Sequence, residues 1–104
     1  MASATYSAAM IDAETGGNET YRFKAEPDLL EMPVPDIIDV FIKHLDSEGI
    51  YPSPMSYELD SAVKRKNRRI VLATGSLILG KGDQKQGEIP FLLMISPEIR
   101  EQMN

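Results

Sequence analysis

The sequence predicts a single α+β domain in which a mostly antiparallel sheet packs against one principal helix. Three observations support this prediction. The chain has 104 residues, 42% of them hydrophobic and 26% charged, as in an ordinary globular domain with one core. Several segments alternate polar and apolar residues as strands do, and one segment repeats at helical spacing. The connections between strands are short and turn-like, which favours pairing of successive strands. We therefore expect residues 1–104 to form one domain.

The N-terminal quarter of the chain is predicted to form a β-hairpin. Apolar residues alternate with polar residues over 20–25, and residues 4–13 are small or compatible with a strand. Between these segments, Gly16 and Gly17 are followed by Asn, and such residues supply the positive φ angles of a hairpin turn.

One amphipathic helix is predicted from Pro35 to Glu48, ended by Gly49. At 100° per residue its apolar side chains form a broad arc, opposite a face of Asp and Lys residues. The arc contains Ile37, Ile38, Val40, Phe41, Ile42 and Leu45. A single helical turn is expected over 28–32, after Pro27.

Three strands are predicted after the helix. Residues 55–60 alternate, which indicates a strand with one face in water. Residues 70–79 and 89–95 are apolar at both alternating positions, which is typical of strands covered on both faces. Together they form an antiparallel meander. Ser96 followed by Pro97 predicts the start of a short C-terminal helix, so the full order is β-β-α-β-β-β-α.

The predicted sheet has more apolar surface than one helix can cover. A second copy of the chain would bury the remainder, so we expect a homodimer or higher oligomer. The alternative is that the N-terminal segment or the terminal helix folds across this face. The expected interface residues lie on the last two strands and are Leu77, Leu79, Leu92 and Met94.

A basic run before the fourth strand is the strongest local charge signal. Residues 1–60 contain twelve acidic and three basic side chains, whereas residues 61–104 contain four acidic and eight basic ones. The run is a candidate binding site for phosphates or for a protein, or it is a solvated turn. If the run serves a partner, replacing Lys64, Arg65 and Lys66 with Ser would leave the melting temperature nearly unchanged, because an exposed turn contributes little to packing, but partner binding would fall. The basic run consists of Lys64, Arg65, Lys66, Arg68 and Arg69.

Catalytic chemistry finds little support in the sequence. The chain has no Cys, and its single histidine, His44, has no orienting acid and no nucleophile at a suitable spacing. No spacing of His, Cys or carboxylates matches a metal site. Residues 75–82 resemble a phosphate-binding loop in outline, but Gly82 stands where that loop needs Ser or Thr. We expect no enzymatic activity, no cofactor and no metal.

These observations favour a small non-catalytic interaction protein that binds a larger protein as an inhibitor or adaptor. Small acidic proteins encoded by viruses and mobile elements often have this role, which is an analogy. The alternative is a module that binds an anionic ligand or nucleic acid through the basic turn at 64–69. The run has no aromatic residue and the net charge is −5, both of which disfavour nucleic acid. No secretory signal and no apolar run of about 20 residues is present, so we expect a cytoplasmic location and no membrane contact.

Overall fold

The computed structural model describes residues 3–51, 55–65, 69–80 and 87–98, and places them in one antiparallel sheet with a helix against one face. The α+β class is confirmed. A 3-10 turn at Leu29–Glu31 precedes the helix. No helix in these ranges is long and apolar enough to span a membrane. The elements are β1 (Ala4–Asp12), β2 (Asn18–Ala25), α1 (Val34–Ser47), β3 (Met55–Arg65), β4 (Ile70–Leu79) and β5 (Gly87–Pro97).

The order of strands across the sheet is β2-β1-β5-β4-β3, so the first and last strands lie side by side in the middle. The predicted hairpin and the predicted meander are both present. Antiparallel pairing of β1 with β5 joins them into one sheet, with Ala8 opposite Ile95 and Met10 opposite Leu93. This leaves β2 and β3 as the edge strands.

The turn between β1 and β2 is held by Asp12. Its carboxylate Oδ1 accepts hydrogen bonds from the backbone N–H groups of Glu14 (2.9 Å) and Thr15 (3.2 Å). Gly16 has a φ of 82°, and its N–H donates to the carbonyl of Asp12 at 2.7 Å. The turn therefore lies where the adjacent glycines predict it, and of the two glycines Gly16 has the positive φ angle.

Helix α1 packs its apolar arc against the sheet and makes the core. Ile37, Ile38, Phe41 and Leu45 are completely buried, Ile42 is buried and Val40 is half-buried. The ring centroid of Phe41 lies 5.8 Å from that of Phe23 and 5.9 Å from that of Tyr21, both on β2. Gly49, with a φ of 66°, ends the helix as predicted. The helical projection is confirmed.

A tyrosine on the edge strand β3 anchors the first half of α1. The Tyr57 hydroxyl donates its proton to Oδ1 of Asp39 (2.8 Å) or to the carbonyl oxygen of Pro35 (3.0 Å). Burial, together with the hydrogen bond to Asp39, raises the pKa of Tyr57 to about 12. Asp39 lies on the polar face of α1, as predicted, but it also connects the helix to the sheet.

A β-bulge in β3 changes which side chains face the helix. Leu59 pairs with Gly75 and Ser61 pairs with Thr74, so Asp60 is an extra residue without a partner on β4. After the bulge, Lys64 points to the helix side of the sheet and Val63 points to the other side. Gly75 is required here, because a Cβ at this position would overlap the carbonyl oxygen of Glu58.

Strand β5 continues to Pro97 instead of ending at Ile95. Ser96 pairs with Ser7, Pro97 pairs with Tyr6, and the N–H of Glu98 donates to the carbonyl of Thr5 (3.0 Å). The predicted helix start at Ser96 is therefore wrong, because pairing with β1 outweighs the local Ser-Pro signal. The rest of that predicted helix, 99–104, lies outside the described residues.

Candidate functional site

The sheet face opposite α1, which we call the open face, carries large apolar side chains that remain exposed to solvent. Their exposed fractions run from 37% for Leu72 to 51% for Val63. A groove of about 330 Å³ on this face is lined by Arg65, Ile70, Leu72 and Met94. We call the exposed side chains the open-face cluster, and its members are Ile11, Val63, Leu72, Leu92 and Met94.

The strand registers bring the members of the open-face cluster together. Leu72 lies between its cross-strand partners Val63 on β3 and Met94 on β5. In the next row of the same face, Ile11 on β1 is opposite Leu92 on β5. Cross-strand partners have Cβ atoms about 5 Å apart. The cluster is therefore one continuous patch, which is the kind of patch that marks an interaction site.

Charged side chains flank the open-face cluster, with opposite signs at the two ends of the strands. Arg22, Lys24 and Arg65 lie at one end, where Arg22 also forms an ion pair with Glu98 at 2.6 Å. Glu58 and Glu88 lie at the other end, opposite Ser76 and Ile78 of β4. The open face is therefore basic at one end, apolar in the middle and acidic at the other end.

The four predicted interface residues are divided between the two faces of the sheet. Leu92 and Met94 belong to the open-face cluster, with exposed fractions of 43% and 39%. Leu77 is completely buried and Leu79 is 9% exposed, because both point to the α1 side of β4. The prediction that they join an interface is corrected: side chains alternate along a strand, and these two belong to the core. The other exposed apolar side chains of the open face are Ile11, Val63 and Leu72.

The described members of the basic run, Lys64, Arg65 and Arg69, do not form one solvated cationic tip. Lys64 is half-buried, and its Nζ donates to the carbonyl oxygen of Met32 at 2.6 Å. The guanidinium of Arg69 donates to the carbonyl of Pro27 at 3.4 Å. Arg65 is exposed, and Lys66 and Arg68 lie outside the described residues. Lys64 and Arg69 therefore hold the segment before α1 against the end of the sheet.

Replacing Lys64 with Met is expected to lower the free energy of unfolding by about 1 to 2 kcal/mol, because the Met32 carbonyl loses a charged donor. This revises the expectation that Lys64 contributes nothing to stability. The matched control is Lys43→Met on the exposed face of α1, which should stay within about 0.5 kcal/mol of the parent. Urea unfolding followed by circular dichroism measures both. Equal effects from the two substitutions would show that the bond to Met32 does not contribute.

The single histidine, His44, lies away from the open face. His44 is half-buried in the last turn of α1, with its ring centroid 5.7 Å from that of Phe23. Residues 75–79 are part of β4, and Lys81 and Gly82 lie outside the described residues. In the part of the chain that the structure describes, no group of three or more His or carboxylate side chains is arranged to hold a metal ion.

Comparisons of the chain with protein family models, with curated proteins and with solved structures find no significant match.

Proposed function

We propose that the protein is a small non-catalytic interaction protein whose open face binds a second copy of the same chain. The open-face cluster is the observation that carries this proposal, because five large apolar side chains are adjacent and each is more than one-third exposed. Removing apolar surface from water contributes about 25 cal/mol per Å². A partner that covers this patch therefore gains free energy that the monomer alone leaves unused.

The size of the open face matches what a stable dimer needs. Five strands about 4.8 Å apart, each about nine residues long at about 3.3 Å per residue, give a flat area of roughly 700 Å². A typical stable interface buries about 800 Å² on each partner. Two sheets that pack face to face in this way form a sandwich with aligned strands, which is a common arrangement.

The charge pattern on the open face favours a second copy over an unrelated partner. Going along β3, the successive open-face residues are Arg65, Val63, Ser61 and Glu58. Consider a two-fold axis that lies between the two sheets, runs perpendicular to the strands and passes over the centre of the cluster. Rotation about this axis exchanges the Arg65 end of the strands with the Glu58 end. Arg65 of each copy then lies opposite Glu58 of the other copy, while the apolar residues meet in the middle. An interface around a two-fold axis must be self-complementary in this way.

The other possible direction of the two-fold axis in the plane of the interface is unfavourable. A two-fold axis parallel to the strands would place the basic end, with Arg22, Lys24 and Arg65, against the basic end of the second copy. It would also bring the two acidic ends together. Like charges that face each other across an interface oppose association. The proposal therefore specifies the direction of the axis as well as the partner.

The sandwich leaves both α1 helices on its outer surfaces. Exposed carboxylates lie on and before each helix, including Glu31, Asp36 and Asp46. Under this proposal the outer surface binds a larger protein that offers a basic patch, and the dimer acts on it as an inhibitor or adaptor. Opposite charges on the two surfaces would steer their association.

We expect sedimentation velocity to show a dimer of the parent protein at micromolar concentration, and Leu92→Lys to make it monomeric. Lysine at the centre of the patch would bring two charges together in a dry interface. The matched control is Ile50→Lys, at an apolar side chain that is 39% exposed but lies outside the sheet. This variant should remain dimeric. A parent protein that is still monomeric at about 100 μM would disprove the proposal.

A charge exchange tests the direction of the two-fold axis. Arg65→Glu and Glu58→Arg should each weaken the dimer, because each places two like charges opposite one another. The double variant restores opposite charges and should regain most of the parent affinity. Additive weakening in the double variant would mean that these two residues do not face each other.

A further inference from the structure

We propose that a cleft beside the basic run binds a small amphiphilic anion, in which a phosphate or carboxylate head group is joined to an apolar group. The cleft lies between the 3-10 turn before α1 and the adjoining ends of β3 and β4. Its volume is about 480 Å³, within the range of pockets that hold small molecules. Its lining residues are Leu30, Glu31, Lys64, Arg65, Arg69, Ile70 and Val71.

The walls of the cleft combine cationic groups with an apolar floor. Leu30 and Val71 are buried, with exposed fractions of 4% and 1%, and Ile70 is half-buried beside them. The positive charges come from Lys64, Arg65 and Arg69, and Glu31 opposes them with one negative charge. Such a surface fits a ligand that is anionic at one end and apolar at the other.

Two of the three cations at the cleft, Lys64 and Arg69, each form one hydrogen bond with the backbone and keep further donors for a ligand. An ammonium group has three N–H donors and a guanidinium has five. Lys64 uses one donor on Met32, and Arg69 uses one on Pro27. Arg69 also has a φ of 52°, which is uncommon for a residue other than glycine. Fixed cations with donors to spare lose little conformational freedom when an anion binds.

The shape and the lining favour a small ligand over nucleic acid. The cleft is concave, and its lining contains no aromatic side chain on which a base could stack. Nucleic-acid phosphates are bound along an extended basic surface, whereas here three cations converge on one apolar pocket. Arg65 and Ile70 also line the groove on the open face, whereas the other five lining residues of the cleft do not, so most of the site lies outside the proposed dimer interface.

Hexyl phosphate and hexanoate are the probes, and amide chemical shifts in ¹H–¹⁵N spectra of the full chain report where they bind. We expect saturable shifts at residues 30, 31 and 69–71. At least one of the two probes should bind about tenfold more tightly than its head group alone, inorganic phosphate or acetate, since burial of two CH₂ groups is sufficient for this. The tighter probe identifies the preferred head group.

The variants test whether Arg69 contacts the anion. Arg69→Gln should weaken binding of the tighter probe by at least about tenfold, as expected when a charged hydrogen-bond donor is lost. Arg69→Lys, which keeps the charge, should lose less than Arg69→Gln. Lys43→Gln, an equal charge change on the far side of α1, should leave the affinity unchanged. If Arg69→Gln does not fold, Arg65→Gln, at an exposed side chain of the same cleft, replaces it.

Three results would overturn the proposal. One is binding that does not saturate below about 10 mM probe. The dissociation constant would then be about tenfold higher than the roughly 1 mM that is typical of weak binding. Another is equal binding of a probe and its head group alone, because the apolar floor would then contribute nothing. The third is tighter binding of mixed-sequence duplex DNA with a steep salt dependence, which would mean that the cations serve nucleic acid instead.

Discussion

Replacing Gly75 with alanine is expected to destabilise the protein by about 3 kcal/mol or more, at the upper end of the range for overpacked sites. A Cβ at position 75 would overlap the carbonyl oxygen of Glu58 and lie 3.0 Å from the Cα of Leu59. These are backbone atoms of β3 next to its bulge, so they cannot move aside as a flexible side chain would. The two strands would have to separate locally, and the loss should appear in urea unfolding.

Gly87→Ala is the matched control for Gly75→Ala. Gly87 also lies at a strand position of the sheet, but a Cβ there would meet only the Cδ1 atom of Leu79, at an ordinary distance of 3.8 Å. This substitution should change the free energy of unfolding by less than about 0.5 kcal/mol. If the two substitutions lowered the free energy of unfolding by similar amounts, the general effect of replacing a glycine with alanine, and not the close approach of Glu58, would explain the result.

Phe41→Ala is expected to cost about 3 to 5 kcal/mol, the usual range for a large aromatic side chain removed from a core. Phe41 is completely buried, and it contacts the rings of Phe23 and Tyr21 on β2. The truncation would leave a cavity between α1 and the edge of the sheet. The Phe41 side chain lies between the helix and the hairpin. Side chains of either element alone could not move far enough to fill the cavity.

Asp39→Ala on the opposite face of α1 is the control for Phe41→Ala. It should cost about 1 kcal/mol, because it removes an exposed hydrogen bond from the Tyr57 hydroxyl. Thermal or urea unfolding of both variants distinguishes the two positions. A loss from Asp39→Ala as large as that from Phe41→Ala would contradict the assignment of buried and exposed faces on α1.

The elements that the sequence predicts well are those whose signals are local. The helix begins at Val34 and ends at Ser47, within one residue of the predicted limits. Pro35 favours a helix start and Gly49 a helix end at their own positions in the chain, so these limits can be read from the local sequence. The hairpin turn follows from two adjacent glycines for the same reason. Ser96 and Pro97 also carry a local signal, for a helix, but β1 provides backbone partners that no local pattern reveals.

The bulge at Asp60 explains most of what could not be predicted about the candidate site. Alternation from Met55 onward places odd-numbered residues on the helix side, which would bury Val63 and leave Lys64 in solvent. The extra residue reverses both assignments, and nothing near Asp60 in the sequence indicates it. The bulge is accommodated by Gly75 on the neighbouring strand β4, where the absence of a side chain allows the backbone of β3 to approach.

The sequence predicts that the sheet has more apolar surface than one helix can cover. It also predicts which face of the sheet some of these apolar residues occupy. The alternation of β5 puts Leu92 and Met94 on one face, and that of β1 puts Ile11 on the face opposite Tyr6 and Met10. Which apolar face of β4 lies under the helix depends on its register with β5. This register is a long-range property, and without it Leu77 and Leu79 could not be separated from the cluster.

The central pairing of β1 with β5 also affects the order of events during folding. Ala8 and Ile95 are partners although more than eighty residues separate them along the chain. Until β5 has been synthesised, the β1–β2 hairpin and the β3–β4 pair have no strand between them, and isolated two-stranded hairpins are only marginally stable in water. Contacts between residues so distant in sequence slow the search for the native state. A nascent chain of this protein therefore exposes an unpaired β1 edge until β5 emerges, and during that interval it is most vulnerable to pairing with the wrong strand.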